Sequence, residues 1–510
     1  MQHRVPSGDE GPWLRMASRC GTGQFLESKV IEHDLYLKKK IPHPEDNRSP
    51  LYPVFIKTAQ LIVKDYFSAG QIVNCTGWIA LFLVAAFSLS KRIGKSATLI
   101  ALLYLSVSPL FFQFTAQVYP DLFVALAYFI LLLYGPEWVR TTKGTIITAL
   151  ITGGLILTKS TGVFIIPVII YYFFVYAKNK QILLKSFLFT AIVVILLLPW
   201  VLRNFREFGS PLYQFSEYNL YVDNFNYLLT VGIKRPSLAE YIHEKGIFFL
   251  IFVRPFQGIQ SLLLNFPKFD EYLSLALIPF TLAGLEQLTK RKRGIIAAGL
   301  FTAPYFIFMG YTAYAVWVHR FTMIFYLFLY VAAGAGVVAL YQKITTQTKN
   351  KPISILLAAV AALLPLLTLV YPLEYYLSQR GSDAAYDREN KYVIAKTEEQ
   401  LNSQDVVFSS FVSDYCYMHD FAVVDKLNYG KVEQLTNLLN YYNVSFLMLD
   451  KKSDRTTISE LRLDGYLNSF TIVTETENIV VYHKTPVHPQ SATKGKTHGD
   501  TENATHHECF

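Results

Sequence analysis

Two guanidinium groups close a long apolar run in Pro199-Trp200-Val201-Leu202-Arg203-Asn204-Phe205-Arg206-Glu207-Phe208-Gly209-Ser210-Pro211. A charge at a hydrocarbon boundary is costly unless it meets water, a partner or an anion, and a guanidinium is well shaped to clamp a phosphate. Further cations stand at comparable places: Arg48 in Arg48-Ser49-Pro50-Leu51-Tyr52-Pro53, Lys159 in Leu157-Thr158-Lys159-Ser160-Thr161-Gly162, and Arg320 after His319. Facing them in kind are three acids, the pair Asp9-Glu10 and Asp121 after Tyr119-Pro120. A carboxylate beside an apolar wall serves as a general base or as a ligand for a divalent cation, and preplaced cations stabilise an anionic leaving group. Attack by a hydroxyl with departure of a phosphate is the chemistry that uses both. Taken one at a time the same residues have plainer uses: snorkelling to headgroups for the cations, a solvated loop for the acid pair, and a helix N-terminal charge for Asp121.

What must position these groups is a membrane bundle. Of 510 residues, 52% are hydrophobic and only 17% charged, well below the charge of a soluble chain. Apolar runs of spanning length fall at 72–90, 97–115, 121–139, 144–158, 161–177, 184–202, 272–288, 294–312, 321–342 and 353–372. Alternate short loops carry Lys91, Arg92 and Lys95; Arg140 and Lys143; Lys178, Lys180 and Lys185; Lys290 to Arg293; and Lys343, Lys349 and Lys351. All fall on one side, which the positive-inside rule assigns to the cytoplasm. The segments 1–71, 116–120, 159–160, 203–271, 313–320 and 373–510 are then predicted outside, and every candidate site residue lies in them or at their edges. The net charge of +9 becomes a topology signal rather than a mark of nucleic-acid binding. Placing 1–71 outside with no apolar run before it predicts a further helix upstream of Met1; the alternative is an N-terminal region that translocates with its first helix.

The predicted organisation is an acidic-motif segment (1–71), a bundle (72–372) interrupted by the outer loop 203–271, a small α/β unit (388–484) and a polar, disordered tail (485–510). In the loop, Gly246–Phe256 reads as an interfacial helix or re-entrant piece. In the α/β unit, the segments beginning at Asp405 and Val444 read as strands, Val432–Tyr442 as a helix, and Phe470–Val473 with Ile479–His483 as a hairpin. Four scattered cysteines give neither a disulfide framework nor a zinc spacing, and His498, His506, His507 and Cys509 fall in the tail. Glycosylation triplets begin at Asn47, Asn74, Asn443 and Asn503.

Over about 1–345 these motifs resemble the GT-C superfamily of polytopic glycosyltransferases, particularly the RgtA/B/C/D-like group and the related dolichyl-phosphate-mannose protein O-mannosyltransferases and lipid A aminoarabinose transferases. Asp9-Glu10 with Trp13-Leu14 and Met16-Ala17 is similar to that superfamily's first acidic motif, which follows a helix and so agrees with a missing first span. Arg48 to Pro53 is similar to its Arg-x-Pro-Leu-Tyr-Pro element, Tyr119-Pro120-Asp121 to its second acidic position, and Leu157-Thr158-Lys159 with Gly162 to its Lys-bearing junction. Pro199 to Pro211 resembles its Pro-Trp-x-x-Arg-Asn signature, the most specific of the set.

The resemblance implies an all-α polytopic membrane protein, with about ten transmembrane helices present and one missing, carrying a small extracytoplasmic α/β domain at its C-terminus. It implies a sugar donor linked through phosphate to a polyprenol, and an acceptor hydroxyl on a glycan, lipid or protein at the outer face. Asp9 is the expected base, with Glu10 beside it; Lys159, Arg203, Arg48 and Arg320 are the expected phosphate ligands; Asp121 serves the acceptor or a divalent cation such as Mg or Mn. The transition state is oxocarbenium-like and the anomeric centre inverts. Acceptor recognition falls to 203–271, where Tyr213, Tyr218, Tyr221 and Phe225 offer rings for stacking or membrane anchoring, and to 388–484. The competing class is a secondary transporter or flippase of an anionic lipid-linked substrate, which should show internal repeats and midplane charges; a non-catalytic scaffold leaves the charged residues without a purpose.

Overall fold

The computed structural model describes residues 10–31, 39–177, 181–211, 213, 220–224, 230–231, 233–234, 236–269, 272–288, 292–315, 319–348, 351–369, 388–402, 404–409, 422–425 and 428–485. Asp9 and the tail from 486 onward lie outside them. In chain order, α1 (Glu10–Arg19) leads to the two-residue strands β1 (Glu27–Ser28), β2 (Val30–Ile31) and β3 (His43–Pro44), then to α2 (Leu51–Gln60) and α3 (Tyr66–Ile93). The bundle continues with α4 (Lys95–Val107), α5 (Pro109–Ala116), α6 (Asp121–Trp138), α7 (Thr142–Thr158), α8 (Ile166–Tyr176) and α9 (Ile182–Phe208).

Local sequence explains where these helices start and stop. Asp65 caps α3, accepting from Ser68 N at 2.7 Å, and Thr141 caps α7 through Gly144 N at 3.0 Å. Ser108 is extended and Pro109 cannot continue a helix, so the single run expected at 97–115 is two helices, α4 and α5, bent by 56°. The last two turns of α9 carry Arg203 and Arg206 beyond the apolar run, and Gly209 at φ 70° ends it in the left-handed cap that glycine favours.

After α9, the short strand β4 (Thr230–Val231) and α10 (Leu238–Lys245) precede α11 (Arg254–Phe269). Ser237 and Glu240 form a reciprocal capping box on α10. One turn of π-helix, Phe249–Val253, opens α11, and Phe249–Lys268 is itself apolar and long enough to cross a membrane. The sequence reading stopped its interfacial piece at Phe256, because Arg254, Gln257, Gln260 and Asn265 dilute the apolar signal. Arg254 is fully buried, held by Asp223 (3.1 Å), the Tyr241 hydroxyl (2.8 Å) and Val222 O (2.7 Å).

The later helices are α12 (Leu273–Leu288), α13 (Lys292–Ala313), α14 (Met323–Thr348) and α15 (Lys351–Leu363). By length and composition, the described residues contain six helices able to cross a membrane, or seven with the bent pair α4 and α5, besides three shorter apolar helices. The span including α14 is the centre of the bundle, with 72% of its apolar window buried; α9, at 17%, turns Leu183, Phe187, Ile195 and Leu202 outward as lipid-facing side chains do. Two glycines let α12 and α14 touch backbone to backbone: a Cβ on Gly284 would lie 1.8 Å from Ala332 O, and one on Gly336 would lie 1.8 Å from Phe280 O.

Beyond the bundle, a six-stranded sheet has the order β2-β6-β5-β8-β10-β9, comprising β5 (Val406–Ser409), β6 (Ala422–Asp425), β8 (Phe446–Asp450), β9 (Phe470–Glu475) and β10 (Ile479–Lys484). The helix Val432–Tyr441 buries Leu435, Leu438 and Leu439 against it. The sheet takes its edge strand from the other end of the chain: β2 runs parallel to β6, with Val30 opposite Val423 and Ile31 opposite Val424. A second parallel pair joins β4 to β7 (Asn428–Tyr429). Segments next to α1 and after α9 are thus stitched to the C-terminal unit.

The glycine contacts make a direct prediction. Gly284→Ala and Gly336→Ala should each destabilise the detergent-solubilised protein by about 1–3 kcal/mol, because a methyl group must push two helices apart. Gly299→Ala, where a Cβ would meet nothing within 4 Å, should leave the melting temperature unchanged.

Candidate active site

The site is built where three helices break. α1 lays Trp13, Leu14 and Ala17 against Tyr52 and Ile56 of α2, Phe67 and Val73 of α3, and Val118. Trp13 meets Tyr52 edge-on, with ring centroids 5.4 Å apart. This packing carries Glu10, the first residue of α1, into a fully buried position where its Oε1 accepts from Val118 N at 2.6 Å. Val118 belongs to the turn between α5 and α6, and Asp121 opens α6 at the end of that turn.

Asp121 is 4% exposed, and its Oδ1 accepts from Lys159 Nζ in an ion pair. Lys159 follows α7 in extended conformation, before the 3-10 turn Ser160–Ile165 that leads to α8, so the short junction expected between two spans is a true break. Its ammonium lies 3.8 Å from the centroid of the Phe321 ring. Arg320, in the short 3-10 turn His319–Thr322 between α13 and α14, sets its guanidinium 5.6 Å from the same ring and 5.1 Å from that of Tyr119. Asp121 and Arg320 line one small cavity with Tyr128, Tyr305 and Met323. Among the described residues no hydrogen-bond donor reaches the buried Asp121 Oδ2.

Four of the seven expected site residues, Glu10, Asp121, Lys159 and Arg320, are therefore brought to one end of the bundle. Arg203 and Arg48 form a second group. Arg203 Nη1 donates to Glu45 O at 2.7 Å and to Asn204 Oδ1 at 3.1 Å, and its Nη2 donates to Leu26 O at 3.0 Å, while the guanidinium rests against the rings of Trp200 and Phe208. Expected as a phosphate ligand, it ties the end of α9 to the segment that follows α1. Arg48 is buried beside Glu45 at 3.3 Å. Of the aromatic candidates, Tyr213 stacks on Phe208 at 4.4 Å and Tyr221 lies 6.4 Å from Tyr241, both within the protein; Tyr218 and Phe225 lie outside the described residues.

Sequence reading missed the polar residues that hold the α5–α6 turn. Tyr52 donates to Asn74 Oδ1 at 2.9 Å; Asn74 Nδ2 donates to Phe114 O at 3.1 Å and to Gln117 O; Gln71 Nε2 donates to Ala116 O at 3.1 Å. Burial first, then the nearby Glu10 and Asp121 carboxylates, raises the Tyr52 hydroxyl well above its ordinary range, so it stays protonated and fixes which way the Asn74 amide points. The signal was present as two amides early in a membrane span, where polar groups are expensive. Asn74, first of a glycosylation triplet, is buried. Among the described residues no three His, Cys, Asp or Glu side chains converge, so no step through the expected divalent cation is derived.

This geometry agrees with what the chain is similar to. The profile of the dolichyl-phosphate-mannose-protein mannosyltransferase family matches residues 43–202. ArnT from Cupriavidus metallidurans, solved bound to undecaprenyl phosphate, superposes with a TM-score of 0.52 at 12% identity, covering 96% of each chain. The Archaeoglobus fulgidus oligosaccharyltransferase AglB, solved with an inhibitory peptide and a dolichol-phosphate, gives a TM-score of 0.55 at 13% identity, covering 96% of this chain and 72% of that one. No curated protein matches. The chain shares the fold of these two proteins. The expectation of a mostly helical bundle with a small sheet region stands, and the family match over 43–202 agrees with the resemblance of the motifs in that stretch.

The Asp121–Lys159 pair has a testable signature. Lys159→Met leaves a buried carboxylate uncompensated and should destabilise the protein by about 3–5 kcal/mol. The double variant Lys159→Met/Asp121→Leu should recover most of that loss in a thermal melt.

Proposed function

We propose that this protein is a GT-C glycosyltransferase that transfers a sugar from a polyprenyl-phosphate-linked donor to a hydroxyl on a glycan, lipid or protein at the non-cytoplasmic face, with inversion. The observation that carries the reading is the convergence of Glu10, Asp121, Lys159 and Arg320 from four separate parts of the chain at one end of an apolar bundle. Polyprenyl phosphates in two proteins of the same fold support it.

In this reading Asp9, adjacent to the anchored Glu10, takes the proton of the acceptor hydroxyl as that oxygen attacks the anomeric carbon. The bond from the anomeric carbon to the donor phosphate breaks, and the departing polyprenyl phosphate meets the guanidinium of Arg320 and the ammonium of Lys159. Asp121 orients Lys159 from behind. Arg203 and Arg48 add positive potential while holding the 20–50 segment in place. The C-terminal unit shares a sheet with β2, which supports placing it on the same face as the reaction and giving it, with the loop after α9, a part in acceptor recognition.

The test is a panel of radiolabelled polyprenyl-phosphate sugars offered to proteoliposomes. The intact protein should move label into an acceptor, Asp9→Asn should not, and Arg320→Ala should lower transfer by about 10²- to 10³-fold. Arg140→Ala, at the opposite end of the bundle, should match the intact protein. Equal transfer by Asp9→Asn removes that residue as the base; movement of labelled lipid across the bilayer with no transfer identifies a flippase instead.

A further inference from the structure

We propose that Glu10 is a positioning residue whose carboxylate caps the α5–α6 turn, and that this cap sets the place of the start of α1 relative to Asp121. The proposal rests on the glycosyl-transfer reading for its activity arm alone. α5 ends at Ala116 and α6 begins at Asp121, which leaves carbonyls at one helix end and N–H groups at the next without partners inside a helix. At the mouth of a membrane bundle such groups are tolerated only when protein serves them.

Here they are served from three elements. From α3, Gln71 and Asn74 donate to the carbonyls of Phe114, Ala116 and Gln117; from α1, Glu10 accepts the N–H of Val118. Tyr52 of α2 orients the Asn74 amide. Glu10 and Asn74 are 0% exposed and Gln71 is 3% exposed, so water does not compete for these bonds. The turn can come this close because Gly70 lies under it: a Cβ there would stand 2.6 Å from Val118 Cγ1.

The chemistry of the cap separates it from the alternatives. A backbone N–H asks only for an acceptor, and the carbonyl of a glutamine amide meets that need as a carboxylate does. A general base needs the charge, which glutamine lacks. Since Asp121 lies three residues beyond Val118, one hydrogen bond fixes the spacing between the start of α1, which the expected base immediately precedes in sequence, and the Asp121–Lys159 pair.

The experiment compares Glu10→Gln, Glu10→Ala and Asp9→Asn by amide hydrogen exchange over 114–122 and by sugar transfer. Glu10→Ala should speed exchange of the turn by about tenfold or more and depress kcat with it, since a buried donor loses its acceptor. Glu10→Gln should restore the protection and most of the turnover, with the pH profile unmoved, and Asp9→Asn should abolish transfer while leaving exchange as it was. The proposal is overturned if Glu10→Ala leaves exchange unchanged, or if Glu10→Gln is protected yet as inactive as Glu10→Ala, which would give the charge itself a chemical role. Should Glu10→Ala fail to fold, the turnover of Glu10→Gln decides alone. If the intact protein transfers no sugar, the functional reading fails, and the exchange data still decide the cap.

Discussion

The buried ion pair between Asp121 and Lys159 is the interaction on which the site end of the bundle depends. Each charge would be prohibitively costly there alone, and together they roughly balance the loss of solvation without adding much net stability. Such a pair fixes geometry rather than strengthening a fold. It fastens the start of α6 to the end of α7, and the Phe321 ring beneath the ammonium brings in the start of α14. Three helices that approach the same level by different routes are thereby given one relative position.

A second set of bonds brings the distant N-terminal segment to that level. α1 reaches the turn before α6 through Glu10, and the chain after α1 is held at Leu26 and Glu45 by Arg203 of α9. Two residues beyond β1, β2 joins the C-terminal sheet. A displacement of the C-terminal unit therefore pulls on the same short segment that carries the acidic motif. The C-terminal unit is tied again by the separate pair of β4 and β7, which joins it to the chain between α9 and α10. The C-terminal unit and the N-terminal segment are thereby joined, even though the chain separates them by hundreds of residues.

Much of this was legible before any coordinates. Membrane spans announce themselves by long apolar runs, and strands such as Phe446–Asp450 by short ones, because burial on all sides admits only apolar side chains. Charges at the ends of spans were equally visible, since lipid makes each of them exceptional. What was hidden shares a different character. The strands β2 and β4 are two residues long and exist only because a distant partner completes them, so no local pattern marks them. The α4–α5 break was obscured because its proline sits within a continuous apolar run. That carbonyls from residues 26 and 45 arrive at the nitrogens of Arg203 is likewise a tertiary fact, which residue type and position do not mark.

The broken helices themselves argue for where function lies. α5 gives way to α6, α7 to α8, and α13 to α14, and each break leaves backbone groups that a continuous helix would have satisfied. Inside a membrane protein that loss is tolerated only beside a cavity or within packed protein. The three breaks meet: Tyr128 of α6 donates to Thr161 O in the second, and Tyr305 of α13 donates to Phe321 O in the third, at 3.1 Å. Arg320 of the third lies over Tyr119 of the first. Each break also holds one of the charged residues, Asp121, Lys159 or Arg320. Backbone that no helix satisfies and charge taken out of water are the two most expensive things a bundle can carry. Finding both gathered at one end, with side chains from α1 and α3 spent on repairing the first break, favours that end as the working surface on grounds independent of any motif.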